Sequence, residues 1–241
     1  MTKERKGITP RAQDLREVYV WQLPVRLYHW VNVACIIMLC LTGYLIGNPL
    51  VLGGHLEASD SYFFGTIRFV HFLFSFLFFF NYIMRTYWGF VGNKYSKWDQ
   101  FIPYKKENWK EIWVVLKVDI LHLKHQDIES VGHNRLASLT YLGVFLLFLM
   151  QSLTGFGMYA AMSDGWFPNL FAWVVPLLGG DDITRHIHHI LMWLFIIFSM
   201  IHIYLCFYHD WVERRGVISS IVGGWKFIEK EHLEESSSPT S

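Results

Sequence analysis

Ile187–Tyr208 has the sequence IHHILMWLFIIFSMIHIYLCFY, which contains no Asp, Glu, Lys or Arg. As an α-helix it is long enough to cross the hydrocarbon core of a bilayer. His188 and His202 lie fourteen positions apart in it, nearly four helical turns, so both imidazoles project from one face, roughly 21 Å apart along the axis. Ionisable side chains within a membrane span are rare and usually functional. The spacing therefore predicts a membrane helix bundle that holds two haems, one in each leaflet, between pairs of histidines.

Three further apolar runs have a similar length, roughly Trp30–Ile46, Tyr62–Met84 and Leu136–Tyr159. Hydrophobic residues make up 53% of the 241-residue chain and aromatic residues 18%. We therefore predict an all-α integral membrane protein built on a four-helix bundle. The net charge is +1 and no basic patch is interleaved with aromatic residues, so nucleic acid is not an expected partner. The three cysteines all fall within the apolar runs, where they are expected to pack as small apolar residues.

Lysine and arginine are distributed unevenly between the segments that connect the runs. Asn48–Ser61 and Ala161–Thr184 contain none, whereas the N-terminal segment, the central segment and the C-terminal tail are rich in both. By the positive-inside rule, both termini and the central segment are cytoplasmic. This predicts a multi-pass membrane protein whose first and third spans run outward. The expected organisation is a cytoplasmic N-terminal segment (1–26), a dihaem membrane domain (27–209) and a cytoplasmic tail (210–241).

Two connecting segments are expected to lie at the membrane surfaces. Trp109–Leu121 has an apolar stripe at helical spacing, which predicts an amphipathic helix on the cytoplasmic surface. Trp166–Leu178 is apolar but too short to span, and Pro168 and Pro176 interrupt it. We expect an interfacial loop or short helix there, on the outer surface. The tail Glu229–Ser241 is charged and then serine-rich, which predicts disorder.

Depth in the membrane selects which histidines can share a haem. His29 lies at the cytoplasmic end of the first span and His202 in the cytoplasmic half of the fourth, so we predict that they bind an inner haem. His71 lies in the outer half of the second span and His188 near the outer end of the fourth. These two are predicted to bind an outer haem, which makes the fourth span the shared support of both sites.

Gly43 lies fourteen positions after His29, hence at the depth of the outer haem, where a glycine lets a porphyrin edge approach the backbone. The third span carries the same triplet, Leu153-Thr154-Gly155 beside Leu41-Thr42-Gly43. Small residues that ease helix packing are the alternative interpretation. Arg68, one turn outward from His71, is predicted to pair with a haem propionate. Alternatively, it extends to the outer headgroups.

His186 and His189 flank His188, so a ligand shifted by one or two residues is an alternative. The helical phase favours His188, because His189 lies about 100° round the helix from His188, and His186 lies about 160° away from the face of His202. A single copper or zinc ion does not fit four histidines divided between two depths. The chain contains no nucleophile elbow, phosphate-binding glycine loop or H-E-x-x-H motif. It is expected to transfer electrons and to do little else.

Two long segments resemble signatures of a known family. The first is Arg26-Leu27-Tyr28-His29-Trp30 followed by Gly43, and the second is Ile187-His188-His189-Ile190 followed by Trp193, Phe195, Phe198 and His202. Both resemble the cytochrome b subunit of membrane-bound NiFe hydrogenases. Ile67–His71, Gly92–Ser96 and Val131–Asn134 are similar to further segments of that family. One departure is His186, which occupies a position where the family usually has a small hydroxyl residue.

The resemblance implies a membrane anchor for the small and large subunits of a NiFe hydrogenase at the outer face of a bacterial inner membrane. It also implies that the chain has no catalysis of its own except quinone reduction. Electrons from the hydrogenase would pass through two b haems to a membrane quinone, menaquinone or ubiquinone, on the cytoplasmic side. The resemblance also implies a quinone site at Gly132, His133 and Asn134. An amide and an imidazole can both donate hydrogen bonds to a quinone carbonyl. The alternative for Asn134 is the N-cap of the third span.

Other functions are also consistent with these residues. The main alternative is a related dihaem anchor for a formate dehydrogenase or a thiosulfate reductase-type complex, because the outer segments carry no recognisable partner motif. A haem-free receptor or transport protein could use the histidines to sense or move protons. A stand-alone cytochrome b that oxidises quinol is the remaining hypothesis.

Overall fold

The computed structural model of the protein describes residues 15–49, 62–98, 135–213 and 216–229. Most residues in these ranges are helical. In chain order the elements are β1 (Leu15–Tyr19), α1 (Leu23–Gly47), α2 (Phe63–Val91), α3 (Arg135–Ala160), α4 (Trp166–Asn169), α5 (Val174–Leu178), α6 (Asp181–Glu213), α7 (Val217–Gly223) and β2 (Trp225–Glu229).

Four helices are long and apolar enough to cross a membrane, over Leu23–Gly47, Phe63–Val91, Leu139–Ala160 and Asp181–Trp211. The predicted all-α fold with four membrane spans is confirmed. Each helix extends beyond the C-terminal end of its apolar run, and α1, α3 and α6 also begin before it. Hydrophobicity marks only the part that meets hydrocarbon, whereas the backbone hydrogen bonds continue beyond it.

Local sequence explains where two of the long helices begin. Pro24 occupies the first turn of α1, where its missing N–H removes no helical hydrogen bond. Gly179 and Gly180 precede α6 with φ angles of 97° and 114°, values that glycine adopts without a steric penalty. Asp181 and Asp182 then fill the first turn of α6, where carboxylates stabilise the positive end of the helix dipole.

Apolar residues of α6 divide between an inner and an outer face. Leu191, Met192 and Phe195 are buried, whereas Trp193 and Ile197 are about half exposed, at 51% and 52%. Large exposed apolar side chains at helical spacing are what a bilayer, rather than water, accommodates. The inner face is also the one that carries His188, one turn before Met192.

The described residues fall into two compact units. The span unit comprises Leu27–Tyr87 and Gly143–Met200, and the terminal unit takes its residues from Met1–Arg26, Trp88–Leu142 and Ile201–Ser241. Every predicted ligand of the outer haem belongs to the span unit. The inner pair is divided, with His29 in the span unit and His202 in the terminal unit.

The core of the span unit is an aromatic cluster. The ring of Phe78 stacks on Phe148 with centroids 4.5 Å apart, and Phe195 meets Phe148 edge-on at 5.1 Å. Phe78 lies seven residues after His71, and Phe195 seven after His188, so the cluster is about two turns, roughly 10 Å, from the predicted outer ligands. The buried members are Cys35, Phe78, Tyr82, Phe148 and Phe195.

In the terminal unit, β1 and β2 form a two-stranded antiparallel sheet with Leu15 opposite Glu229 and Tyr19 opposite Trp225. The rings of Tyr19 and Trp225 lie 5.1 Å apart. The sequence pattern did not predict this sheet. Each strand has five residues, and its partner is more than 200 positions away, so no local turn signal connects them.

Trp166–Leu178 folds into α4 and α5, so the expected short helical structure is present. Phe167 and Phe171 pack against Phe156 of α3, with ring centroids 5.4 and 5.3 Å from it. Trp166 on the opposite side is 77% exposed. The amphipathic helix expected at Trp109–Leu121 falls outside the described residues and stays a prediction. The disorder expected over Glu229–Ser241 is wrong at Glu229, which pairs with Leu15 in the sheet, and the rest of that tail falls outside the described residues.

Candidate haem-binding site

The imidazole of His71, on α2, lies against one turn of α1. Its Nδ1 is 2.8 Å from the hydroxyl oxygen of Thr42. A Cβ placed on Gly43 would be 3.3 Å from the ring carbon Cε1 of His71. Thr42 is buried, and its hydroxyl is also 2.6 Å from the backbone oxygen of Met38. The ring is therefore held between a fixed hydroxyl and a glycine that leaves room for it.

The imidazole of His188, on α6, lies against α3 in the same way. Its Nδ1 is 2.8 Å from the hydroxyl oxygen of Thr154, and a Cβ on Gly155 would be 3.1 Å from Cε1. The hydroxyl of Thr154 is also 2.8 Å from the backbone oxygen of Met150. On the other side of the ring, the amide nitrogen of Gln151 lies 3.1 Å from Nε2 of His188.

The two Leu-Thr-Gly triplets therefore support two histidines on different helices with nearly the same geometry. The triplet of α1 supports His71 and the triplet of α3 supports His188. Gly43 of the first triplet also lies beside the sulfur of Met192, one turn after His188, so the structure brings the two predicted ligands of the outer haem into one region of the span unit.

The alternatives to His188 occupy different surroundings. The ring of His189 packs on Gly47 of α1, where a Cβ would stand 2.5 Å from its Cε1. His186 turns back on its own helix, with Nδ1 2.8 Å from the backbone oxygen of Asp182, and its side chain is 72% exposed. Neither histidine contacts the triplet of α3 that supports His188.

Gly43 and Arg68 are the other residues predicted at the outer site. Gly43 lies beside His71 and also approaches the sulfur of Met192, which would be 3.7 Å from a Cβ. This glycine thus makes room for an imidazole. The expectation that a porphyrin edge approaches the backbone at Gly43 stays a prediction. Arg68 is exposed on α2, one turn before His71, a position that suits either of the two expectations for it.

The predicted ligands of the inner haem are His29 on α1 and His202 on α6. His29 is half-buried on α1 and meets the ring of Trp30 edge-on at 5.1 Å. His202 is exposed on α6, and the sulfur of Cys206 lies 3.6 Å from its Nε2. Their pairing around an inner haem stays a prediction from the sequence. The predicted quinone residues Gly132, His133 and Asn134 lie outside the described residues.

The donor chemistry of the outer site fits haem iron. Iron in a b-type haem takes one nitrogen from each of two neutral imidazoles, while the second nitrogen of each ring is hydrogen-bonded to the protein. Thr42 and Thr154 provide those partners at Nδ1 of His71 and His188. Nε2 of His71 would then bind iron, and Nε2 of His188 would exchange its contact with the Gln151 amide for iron. Within the described part of the chain, no three His, Cys, Asp or Glu side chains converge as they would around a single metal ion.

Sequence reasoning missed three side chains of this site, Thr42, Thr154 and Gln151. The repeated triplet was the available signal, because each glycine in it is preceded by a threonine. Hydrophobic periodicity gives the face of a helix on which a hydroxyl lies, but not the residue of the neighbouring helix that it meets.

Four helices able to span a membrane, with His71 and His188 each held by a threonine of another helix, are typical of a multi-pass membrane protein of the cytochrome b class. Residues 20–224 match the family model described as prokaryotic cytochrome b561. The chain belongs to this family, and the resemblance noted in its two signatures is confirmed. A B-type cytochrome binds haem b, which is thus the cofactor that membership implies.

Several curated relatives are similar over nearly their whole length. A protein of Azotobacter vinelandii, named probable Ni/Fe-hydrogenase B-type cytochrome subunit, is 38% identical over 219 residues, 89% of this chain and 90% of its own. A protein of Cupriavidus necator with the same name is 33% identical over 225 residues, 92% and 91% of the two chains. The probable Ni/Fe-hydrogenase 1 B-type cytochrome subunit of Escherichia coli K12 is 35% identical over 223 residues, 90% and 93%.

Proposed function

We propose that this chain is the membrane anchor and electron-transfer subunit of a NiFe hydrogenase, and that it passes electrons through two b haems to membrane quinone. The observation that carries the proposal is the paired support of His71 and His188 by Thr42 and Thr154, at 2.8 Å in both cases. The names of the relatives support a hydrogenase as the partner, since all three quoted above are named as probable Ni/Fe-hydrogenase subunits. No observation on this chain favours the formate dehydrogenase or thiosulfate reductase alternative.

In the outer site, His71 and His188 would hold the haem iron through their imidazoles. Haem b supplies a one-electron carrier whose iron alternates between the ferric and ferrous forms. Gly43 and Gly155 leave space for the two imidazole rings, and Arg68 is placed to neutralise a propionate from the outer end of α2. The aromatic cluster around Phe148 excludes water from the middle of the span unit, which keeps the surroundings of the outer site apolar.

The inner haem would be held by His29 and His202 near the cytoplasmic surface. The quinone site would be formed by Gly132, His133 and Asn134, since an imidazole and an amide can donate hydrogen bonds to quinone carbonyl oxygens. An imidazole there would also deliver protons from the cytoplasm to the reduced quinone. The quinone is either menaquinone or ubiquinone.

The charge distribution supports the orientation of this route. The outward segments Asn48–Ser61 and Ala161–Thr184 contain no lysine or arginine, so both termini lie in the cytoplasm. The small and large subunits of the hydrogenase then dock on the outer side of a bacterial inner membrane. Hydrogen oxidation releases protons there, quinone reduction takes protons from the cytoplasm, and the transfer between them is electrogenic.

The test uses membranes that contain the chain together with its hydrogenase. Hydrogen gas is expected to reduce the b-type absorption bands, and a quinone analogue is expected to reoxidise them. His71→Ala and His188→Ala should block reduction of quinone while leaving hydrogen-dependent dye reduction by the hydrogenase intact. Bands that respond to formate and not to hydrogen would contradict the assignment of the partner.

A further inference from the structure

We propose that Thr42 and Thr154 are a matched pair of positioning residues that fix the proton on Nδ1 of His71 and His188 and so lower the reduction potential of the outer haem. The proposal rests on the proposed function, since it requires an outer haem between these two histidines. Neither threonine would touch the iron, and each acts through the ring that it holds.

The position of the proton follows from the hydrogen bonds of Thr42. A hydroxyl has one proton to donate, and the oxygen of Thr42 lies 2.6 Å from the backbone oxygen of Met38. Two oxygen atoms at that distance require the proton between them. Thr42 therefore accepts the hydrogen bond at Nδ1 of His71, 2.8 Å away, and the imidazole carries its proton there.

The same argument holds for Thr154. Its oxygen lies 2.8 Å from the backbone oxygen of Met150, so its proton is committed to that bond, and Nδ1 of His188 donates to it at 2.8 Å. A second contact agrees with this tautomer. The amide nitrogen of Gln151 can only donate, and it lies 3.1 Å from Nε2 of His188, which must then offer a lone pair.

The consequence for the haem is electronic. An imidazole that donates from Nδ1 to a fixed acceptor is a more basic ligand through Nε2. A more basic ligand stabilises ferric iron relative to ferrous iron, so the potential falls. Because both axial ligands have the same kind of acceptor, the two contributions act in the same direction.

The experiment is a potentiometric titration of the haem bands in the purified full-length protein with Thr42→Val and Thr154→Val, singly and together. Each valine removes the acceptor, and the outer haem is expected to titrate at a higher potential, with the largest rise in the double variant. Thr42→Ser and Thr154→Ser restore the hydroxyl and should return the potential towards that of the unchanged protein. A threonine that only supports packing would not produce this rescue by serine.

Thr184→Val is the matched control. Thr184 is fully buried on α6, and its hydroxyl donates to the backbone oxygen of Gly180 at 2.8 Å in the same i−4 arrangement. The partner of its hydroxyl in this bond is a backbone oxygen and not a histidine ring. Its replacement should leave both potentials unchanged. If a valine variant loses haem because its methyl group crowds the ring, alanine at the same position removes the acceptor without adding an atom.

Two outcomes separate failure of the inference from failure of the proposed function. A full haem content with an unchanged outer potential in the valine or alanine variants overturns the role of the threonines but leaves the outer haem in place. A haem content that does not depend on His71 and His188 overturns the proposed outer site, and the inference with it.

Discussion

The imidazole of His189 lies against the backbone of Gly47, so close that a Cβ on Gly47 would stand 2.5 Å from its Cε1. The next residue towards the N-terminus, His188, is directed instead to Thr154 and Gly155 of another helix. This difference separates two adjacent histidines that the sequence alone distinguishes only by helical phase.

Alanine at two glycines discriminates between these histidines. Gly155→Ala crowds His188 by a few tenths of an ångström, so we expect a shifted potential and a lower occupancy of the outer haem. Gly47→Ala creates the larger overlap, but with His189, and should leave the haem bands and potentials unchanged. The measurement is an optical redox titration of both variants. The opposite result, a response to Gly47→Ala alone, would make His189 the ligand.

Replacement of His186 should have no effect on haem content. Its Nδ1 bonds to the backbone oxygen of Asp182 on its own helix, and its side chain is 72% exposed. His186→Ala is therefore expected to retain the same haem content as the unchanged protein in a pyridine haemochrome assay. Loss of haem from this variant would place the ligand two residues earlier than proposed.

The aromatic cluster of the span unit should dominate its stability. Phe148 is 4% exposed and contacts both Phe78 and Phe195. Phe148→Ala is expected to lower the free energy of unfolding by about 3–5 kcal/mol, the usual cost of a large cavity. Phe207→Ala, at a position that is 64% exposed on α6, is the control and should cost far less. Equal losses in a detergent unfolding titration would contradict this description of the core.

A buried amide pair connects α1 and α2. The side-chain nitrogen of Asn81 donates to the side-chain oxygen of Asn32 at 2.9 Å and to the backbone oxygen of Tyr28 at 3.0 Å. Asn81→Ala leaves these acceptors buried, which should destabilise the protein by about 1–3 kcal/mol. In a double-mutant cycle with Asn32→Ala, the coupling should be near 0.6 kcal/mol, the average for such pairs in membranes. A coupling of zero would mean that the two amides act independently.

The orientation is testable by labelling with a membrane-impermeant maleimide. Asp164 and Lys97 are both exposed, and the charge distribution puts them on opposite sides of the membrane. In spheroplasts, Asp164→Cys should react at once, whereas Lys97→Cys should react only after the membrane is permeabilised. The reverse pattern would invert the proposed topology.

The sequence predicts those parts of the fold that depend on residues close together in the chain. The spans follow from composition, because a bilayer imposes the length of every apolar run. The sheet between Leu15–Tyr19 and Trp225–Glu229 does not, since two short strands far apart in the chain have no shared local pattern.

The same distinction between local and long-range features applies to the candidate haem site. The spacing of His188 and His202 along one helix is visible in the sequence, because it depends only on helical periodicity. The contacts of Thr42 with His71 and of Thr154 with His188 depend on how neighbouring helices pack, which periodicity does not determine. The repeated triplets indicated the right turns of helix, and the structure identifies their threonines as the residues that hold the rings.

The most direct test of the account is a pyridine haemochrome assay on the purified chain, together with His29→Ala, His71→Ala, His188→Ala and His202→Ala. The account predicts two b haems per chain and a loss of haem in each of the four variants. A chain without haem, or a His188→Ala variant that retains both haems, would contradict it.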